Sequence, residues 1–218
     1  MRDPIFSQYF RSAGSDYPLL LALVNNDIDD FKSKLLTPMI DVNKKKQNGL
    51  TALIYASDKN KIEFVKELLK VRSIDVNITD TSKDTALTRA VYRNNVQVVR
   101  LLLQQRDIDV NIQNNDGNTA LMIALEMNFE ELAGTLIDQS GTVFELKNRQ
   151  EDTALVIASR SGQVRLVRNI LNKLNLINNP GRRVGAPASS YDVTKALETT
   201  NVPEIINMLK DVRNYGDM

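Results

Sequence analysis

The chain lacks the residues that most often carry chemistry in proteins. Its 218 residues include no histidine, no cysteine and no tryptophan. The absence of histidine removes the commonest general base and the commonest metal ligand. The absence of cysteine excludes a disulfide framework, a thiolate nucleophile and a zinc site of the usual kind. We therefore predict that the chain is not an enzyme, that it has no catalytic or metal-binding residues, and that it needs no cofactor.

An excess of charge and a long apolar run are also missing. The 28 basic and 27 acidic residues leave a net charge of +1, which gives no electrostatic reason to expect nucleic acid as a partner. No stretch approaches the roughly 18 apolar residues that a membrane-spanning helix needs. The hydrophobic fraction of 42% is sufficient for a folded core. We expect neither a nucleic-acid nor a membrane partner, and a cytoplasmic protein, or one delivered into a host cell if it acts as an effector.

One short motif recurs at a fixed spacing along the chain. The pattern T-A-L-x-x-A occurs four times, and successive copies begin 34 residues apart. The copies begin at Thr51, Thr85, Thr119 and Thr153. Such regularity is typical of a repeat array, in which each copy is one structural unit that packs against its neighbours.

The motif predicts the start of a short helix. Threonine accepts a hydrogen bond from an otherwise unpaired amide of the first turn, so it fits a helix start. The leucine and the final alanine of the motif fall on one face of that helix. Small residues at fixed places indicate helices that pack closely against copies of themselves.

A tight turn and a second helix follow in each copy. The turn residue is asparagine or glycine, which best tolerate positive φ, so we predict a left-handed helix cap. The turn residues are Asn60, Asn94, Asn128 and Gly162. The second helix carries an apolar stripe, as in VQVVRLLLQ, and it is weakest where Glu130 and Ala133 replace apolar residues.

A polar, extended link closes each unit. Its valine is expected to enter the core, and the asparagine after the valine is expected to bond the loop backbone. These pairs are Val42 with Asn43, Val76 with Asn77 and Val110 with Asn111. The tips Asn48–Gly49 and Asp116–Gly117 favour two-residue hairpins. The unit is therefore predicted to be helix, tight turn, helix and projecting hairpin.

This pattern resembles the ankyrin repeat, whose signature is T-P-L-H-x-A with two helices and a β-turn. The threonine, the leucine and the final alanine are kept four times. The proline is alanine here, and the histidine is Ile54, Thr88, Met122 or Val156. The period exceeds the family's usual value of about 33 residues by one. These departures concern hydrogen bonding at the helix start and not the fold.

The main alternative is the tetratricopeptide array, which also repeats about every 34 residues. That array would lack the polar Val-Asn and Asn-Gly segments, and its own tryptophan, glycine and tyrosine pattern is missing here. The resemblance therefore implies an all-α solenoid of about six ankyrin repeats, with degenerate repeats at both ends acting as caps.

The phase of the repeat extends beyond the four complete copies. We predict a single ankyrin-repeat domain over residues 1–218. Residues 1–11 are expected to form a capping helix, and residues 176–190 a longer, mobile hairpin insertion rich in Gly, Pro and Ser. The predicted repeats are approximately 12–45, 46–79, 80–113, 114–147, 148–180 and 186–214.

The resemblance also implies where a partner would bind. In the family the concave face is built from the hairpin tips and the exposed side of each first helix. Tyr92, Arg93 and Met127 are our favoured anchors, because aromatic, Arg and Met side chains are enriched at interface cores. The other candidates are Glu126, Asp58, Lys59, Arg160, Asn115, Asp116, Asn118, Ser82, Asp84 and Arg149.

The leading hypothesis is a non-enzymatic, monomeric module that binds a partner protein as an adaptor, inhibitor or effector. A second hypothesis is a stoichiometric inhibitor, or an immunity-type regulator, of one enzyme or toxin. A third is a structural scaffold that self-associates. The sequence does not identify the partner, because function is determined by the variable surface and not by the fold.

Overall fold

A computed structural model describes residues 17–174 and 190–216 of the chain. Twelve helices and no strand occur in these ranges. The chain divides into two compact units, Met1–Asp109 and Val110–Met218, which are described separately below. The predicted capping helix at 1–11 and nearly all of the predicted insertion at 176–190 lie outside the described residues. The single-domain assignment and the individual repeat boundaries stay predictions.

Unit 1 contains three helix pairs. Within each pair the two helices contact one another. The first helices of neighbouring pairs are in contact, and so are the second helices, so the unit is a two-layered stack. The helices are α1 Pro18–Val24, α2 Ile28–Leu35, α3 Ala52–Asp58, α4 Ile62–Leu69, α5 Ala86–Tyr92 and α6 Val96–Leu103.

Unit 2 repeats the same arrangement. Its helices also form three contacting pairs, with first helices against first helices and second helices against second helices. The helices are α7 Ala120–Glu126, α8 Glu130–Asp138, α9 Ala154–Arg160, α10 Val164–Lys173, α11 Ser190–Thr199 and α12 Pro203–Gly216. The last pair lies where the degenerate sixth repeat is predicted.

Threonine caps three of the four first helices that begin with the motif. The Oγ1 of Thr51 accepts a hydrogen bond from the Ile54 amide at 3.2 Å, and Thr119 caps α7 in the same way. Thr85 forms a reciprocal capping box with Thr88, which stands where the ankyrin signature has histidine. The prediction is wrong for Thr153, whose side chain makes no cap bond.

The first helices end in the predicted left-handed turn. Asn60, Asn94, Asn128 and Gly162 have φ of 53°, 55°, 56° and 68°. In each case the next amide reaches back to the carbonyl of the motif's final alanine, as in the 2.9 Å bond from Lys61 to Ala56. This pairing is the Schellman arrangement, which satisfies carbonyls that the helix leaves unpaired. The final alanine is fully buried in all four copies, so the same residue packs the core and ends the helix.

The links between repeats are held by asparagine. Asn77 donates from Nδ2 to the Asp107 carbonyl at 2.6 Å and accepts from the Asp109 amide at 2.9 Å. Asn43 in unit 1 and Asn111 in unit 2 bond the link of the next repeat in the same manner. The expected backbone bonding is therefore present, and it joins neighbouring repeats. The preceding valines Val42, Val76 and Val110 are buried, as predicted.

The loop tips are tight turns without regular strand pairing in the described residues. In the second repeat the Lys46 amide donates to the Leu50 carbonyl at 3.0 Å, and the Gly49 amide donates to the Lys46 carbonyl at 2.8 Å. Gly49 has φ +76°, and a Cβ added to it would lie 2.6 Å from the Asp80 Cα. Glycine is required there because the tip packs against the backbone of the next tip.

Candidate partner-binding surface

The candidate residues occupy two places in each repeat, the loop tip and the end of the first helix. We call the surface that they form within one unit its tip-and-helix face. In unit 1 this face comprises Asp58, Lys59, Ser82, Asp84, Tyr92 and Arg93. In unit 2 it comprises Asn115, Asp116, Asn118, Glu126, Met127, Arg149 and Arg160.

Three residues of the unit 1 face form an ion cluster at the helix ends. Arg93 Nε lies 2.8 Å from Asp58 Oδ1, and Lys59 Nζ lies 3.0 Å from Asp58 Oδ2. Burial by itself would raise the pKa of Asp58, but hydrogen bonds from Arg93 and Lys59, together with their charges, hold it below its ordinary value of 3.8. Arg93 still exposes 58% of its side chain, so Asp58 orients a cation that faces solvent.

Tyr92 lies directly beside this cluster. It is the last residue of α5 and is half-buried. A tyrosine side chain has few rotatable bonds, so a partly packed ring offers contact area at a low entropy cost. The unit 1 face therefore combines an aromatic ring with an oriented guanidinium group.

Asp84, Arg89 and Asp80 form a second ion cluster in unit 1. Asp84 was predicted to lie on the binding surface, whereas Arg89 and Asp80 were not singled out from the sequence. Arg89 of α5 bonds Asp80, and its Nη2 lies 3.2 Å from Asp84 Oδ2. Burial would lower the pKa of Arg89, but the bond to Asp80 and the charges of Asp84 and Asp80 raise it above its ordinary value. Asp84 is 5% exposed. Its side chain is thus directed into the loop. Of the two predicted contact residues at this tip, Ser82 and Asp84, only Ser82 is exposed.

Each of three tips is built on one acidic or amide side chain that the sequence analysis did not single out. The Oδ1 of Asp80 accepts hydrogen bonds from the amides two and four residues ahead, at 2.8 and 3.0 Å. Asn114 and Asn148 in unit 2 do the same for their own tips. A recurring Asp or Asn at this phase of the repeat was the signal that could have revealed them.

The unit 2 face has its own buried carboxylate. The side chain of Asp152 is 3% exposed, lies 2.9 Å from Lys195 Nζ and bonds Arg160. Burial would raise the pKa of Asp152, but hydrogen bonds from Lys195 and Arg160 and their charges hold it below 3.8. Arg160 exposes 47% of its side chain, so buried Asp152 orients an exposed arginine, as half-buried Asp58 does in unit 1.

The pKa of Glu126 is shifted in the opposite direction to that of Asp152. Burial is the main cause that raises its pKa above 4.5; the charge of Arg160 opposes this, and the charges of Asp152 and Asp116 add to it. Asn118 donates to Glu126 Oε2 at 3.1 Å, which partly offsets the rise. Glu126 therefore lies at the surface with its carboxyl group partly desolvated, and the fold disfavours the ionised form of that group.

The predicted tip residues of unit 2 divide into exposed and buried members. Asn118 is 6% exposed and accepts from Asn148 Nδ2 at 2.9 Å, so it joins one tip to the next. Asn115, Asp116 and Arg149 are exposed. The Arg149 amide donates to the Asp116 carbonyl at 2.9 Å, which fixes the backbone under both side chains.

Met127 is the exposed apolar residue of the unit 2 face. It directly follows α7 and is 48% exposed. It is adjacent to Glu126, so unit 2 presents a flexible thioether next to a carboxylate. That Met127 acts jointly with Tyr92 and Arg93 stays a prediction, because those two residues belong to unit 1.

Neither a metal-binding cluster nor a membrane-spanning helix occurs in the described parts of the chain. Residues 17–174 and 190–216 hold no group of three or more acidic side chains placed to bind a metal ion. In these same ranges no helix has the length and apolar character to cross a bilayer.

Paired helices with threonine caps, left-handed turns and stacked loop tips define a helical repeat protein. The family model for ankyrin repeats (3 copies) matches residues 19–114 and 107–180, and the chain belongs to this family. The predicted all-α ankyrin fold with about six repeats is thereby confirmed. Ankyrin repeats are in general protein–protein interaction modules and are typically non-catalytic.

Two solved structures show the similarity in more detail. An ankyrin repeat domain from Acinetobacter baumannii AYE is 26% identical, with a TM-score of 0.70 over 91% of this chain and 98% of that one. The ankyrin repeat protein EF0377 is 20% identical, with a TM-score of 0.66 over 92% of this chain and 96% of its own. The second likeness concerns the fold alone. Among curated protein sequences, none matches this chain.

Proposed function

We propose that the chain is a non-enzymatic module that holds a partner protein on the tip-and-helix face of one or both units. One observation carries this proposal. The repeated Thr, Leu and Ala positions are buried and nearly identical between copies, whereas exposed positions on the face differ from repeat to repeat. A surface that varies on an invariant scaffold can discriminate between partners.

The burial pattern separates contact residues from supporting residues. Asp58, Asp84 and Asn118 are held by bonds inside the fold, so we assign them to support of the face. The proposed contact residues are Lys59, Ser82, Tyr92, Arg93, Asn115, Asp116, Glu126, Met127, Arg149 and Arg160.

The anchors imply the chemistry of the partner. Arg93 and Tyr92 suit an acidic or aromatic group, because a guanidinium pairs with carboxylates and stacks on rings. Glu126 is an acidic group beside Met127, so it suits a cationic group of the partner. Met127 adds an adaptable apolar contact.

An adaptor, an inhibitor and an effector would all use the same tip-and-helix face, and they would differ in the partner protein that they bind. A stoichiometric inhibitor or immunity-type regulator would bind one enzyme or toxin and abolish its activity at one-to-one ratio. A self-associating scaffold would instead change its mass with concentration. We expect light scattering to give a constant monomer mass, and a rising mass would support the scaffold in place of the binding module.

Photo-crosslinking in the native cell tests the proposal. A photoreactive amino acid replaces Tyr92 or Met127, and the control variants carry it at Gln97 of α6 or Arg165 of α10, which are exposed on second helices. We expect a partner protein to be captured from Tyr92, from Met127 or from both, according to which unit binds it, and not from the controls. Equal capture from all four positions, or capture from the controls alone, would show that the face is not the binding surface.

A further inference from the structure

The tip of the second repeat carries the chain's one asparagine–glycine pair, Asn48–Gly49. Asn48 is exposed, and its Oδ1 accepts a hydrogen bond from the Leu50 amide at 3.2 Å. This Asx turn closes a ring that contains both the Asn48 side-chain carbonyl and the Gly49 nitrogen. The fold thus keeps a side-chain amide next to a main-chain nitrogen that could attack it.

Glycine at position 49 is required by packing in unit 1. An added Cβ would lie 2.6 Å from Asp80 Cα and 2.9 Å from the Thr81 nitrogen, and φ is +76°. A side chain on the residue after an asparagine is what normally hinders attack on the asparagine amide. The lack of a Cβ that lets this tip stack therefore also leaves Asn48 unshielded.

We propose that Asn48 is a site of spontaneous covalent modification, at which the side-chain amide is lost through a cyclic imide formed with Gly49. The Gly49 nitrogen bonds to Asn48 Cγ, the bond from Cγ to Nδ2 breaks, and ammonia leaves with the proton of the Gly49 nitrogen. Water then opens the imide at either carbonyl and gives aspartate or isoaspartate. The net reaction consumes one water and releases one ammonia, with no oxidation or reduction.

The turn favours one part of this reaction and slows another. Negative charge develops on Asn48 Oδ1 as the nitrogen attacks, and the Leu50 amide already donates to that atom. The Gly49 amide is bonded to the Lys46 carbonyl at 2.8 Å, so this bond must break first. The reaction therefore proceeds through local openings of the exposed tip and does not require global unfolding.

The product alters the contact between two repeats. The Thr81 amide donates to the Asn48 carbonyl at 3.1 Å. In isoaspartate the main chain runs through the former side chain, which lengthens it by one methylene and converts that carbonyl into a free carboxylate. The bond to Thr81 is displaced, and a negative charge appears at the tip. This modification does not depend on the proposed partner binding.

Ageing of the purified full chain in mildly alkaline buffer tests the proposal. Peptide mass spectrometry follows conversion of each asparagine, with the exposed turn residue Asn60, which precedes Lys61, as the internal comparison. We expect Asn48 to convert at least about tenfold faster than Asn60, and an isoaspartyl methyltransferase to label its peptide. Conversion of Asn48 at or below the rate of Asn60 would overturn the proposal.

A matched variant isolates the consequence for the tip. Ser82 occupies the corresponding place in the next repeat, so Asn48→Ser keeps a residue that the fold accepts there. Hydrogen exchange at the Thr81 amide should quicken as the unmodified chain ages and stay constant in Asn48→Ser. Unchanged protection of Thr81 in a chain that has fully converted at Asn48 would contradict the proposed loosening.

Discussion

At the scale of single residues, two glycines of this chain lie in opposite environments. Gly49 has positive φ, and an added Cβ would nearly touch the backbone of the next repeat. Gly134 lies inside α8, where an added Cβ would meet nothing within 4 Å. The Asn48–Gly49 pair predicted a turn from the sequence. The close approach depends on the packing of a neighbouring repeat, so local sequence could not show it.

We predict opposite effects of alanine at these two positions. Gly49→Ala should lower the free energy of unfolding by about 1–3 kcal/mol, because it combines strained φ with a steric clash. Gly134→Ala should raise it by about 0.5–1 kcal/mol, because alanine has the higher helix propensity. Equilibrium denaturation of both variants measures the difference. Destabilisation by Gly134→Ala would contradict the environment described for α8.

The lowered pKa of Asp152 lets us predict how the free energy of unfolding depends on pH. Its folded pKa lies below 3.8, so its stabilising contribution is complete well above pH 3.8 and is lost as the pH falls through the folded value. Asp152→Asn should cost about 1–3 kcal/mol at neutral pH, because Lys195 and Arg160 lose a charged partner. It should also make the loss of stability in acid less steep. Denaturation across an acid pH series would contradict this if both proteins lost stability in parallel.

At the scale of the helix, equivalent threonines do not have equivalent roles. Thr119 caps α7 by accepting from the Met122 amide at 3.3 Å. The Thr153 hydroxyl at the start of α9 is buried and has no hydrogen-bond partner in the described part of the chain. The T-A-L-x-x-A motif correctly predicted where both helices begin. It could not show which threonine accepts a cap bond, because the two copies, TALMIA and TALVIA, differ at a single position.

Threonine-to-valine substitutions test this difference within unit 2. Thr119→Val removes a cap bond and should cost about 1 kcal/mol. Thr153→Val replaces a buried, unpaired hydroxyl by a methyl group and should be neutral or slightly stabilising. Chemical denaturation compares the two variants directly. An equal cost at both positions would show that Thr153 also caps its helix in solution.

The loop tips show how far the candidate site could be predicted. The family resemblance placed the loop tips and the ends of the first helices on the surface, and Arg93, Met127 and Arg149 are exposed there. It gave the same weight to Asp84 and Asn118, which are buried. Position within the repeat does not by itself determine burial, because a polar side chain at a tip can face solvent or bond the loop beneath it. The partners that decide between these outcomes, such as Arg89 and Asn148, lie elsewhere in the sequence.

At the scale of the whole molecule, the fold follows from one period. A fixed spacing of 34 residues with a capping threonine, small core residues and a turn asparagine is sufficient to predict stacked helix pairs, and the ankyrin family match confirms it. The partner does not follow from the period, because scaffold positions are shared across the family. The proposed function therefore rests on the exposed residues of the tip-and-helix face.

The decisive measurement is calorimetry with the partner that crosslinking identifies. It compares the affinity of this partner for two double variants of unit 1. Tyr92→Ala with Arg93→Ala removes the proposed anchors, and Gln97→Ala with Arg100→Ala changes exposed residues of the second helix α6. Both variants should stay folded, because Arg93, Gln97 and Arg100 are exposed and loss of the half-buried Tyr92 ring should cost about 1–3 kcal/mol, which is less than the stability of a typical domain.

We predict that the first variant weakens binding by at least about 2 kcal/mol, roughly thirtyfold in Kd, and that the second leaves it unchanged. Unchanged affinity in a folded Tyr92→Ala, Arg93→Ala variant would show that these two residues do not anchor the partner.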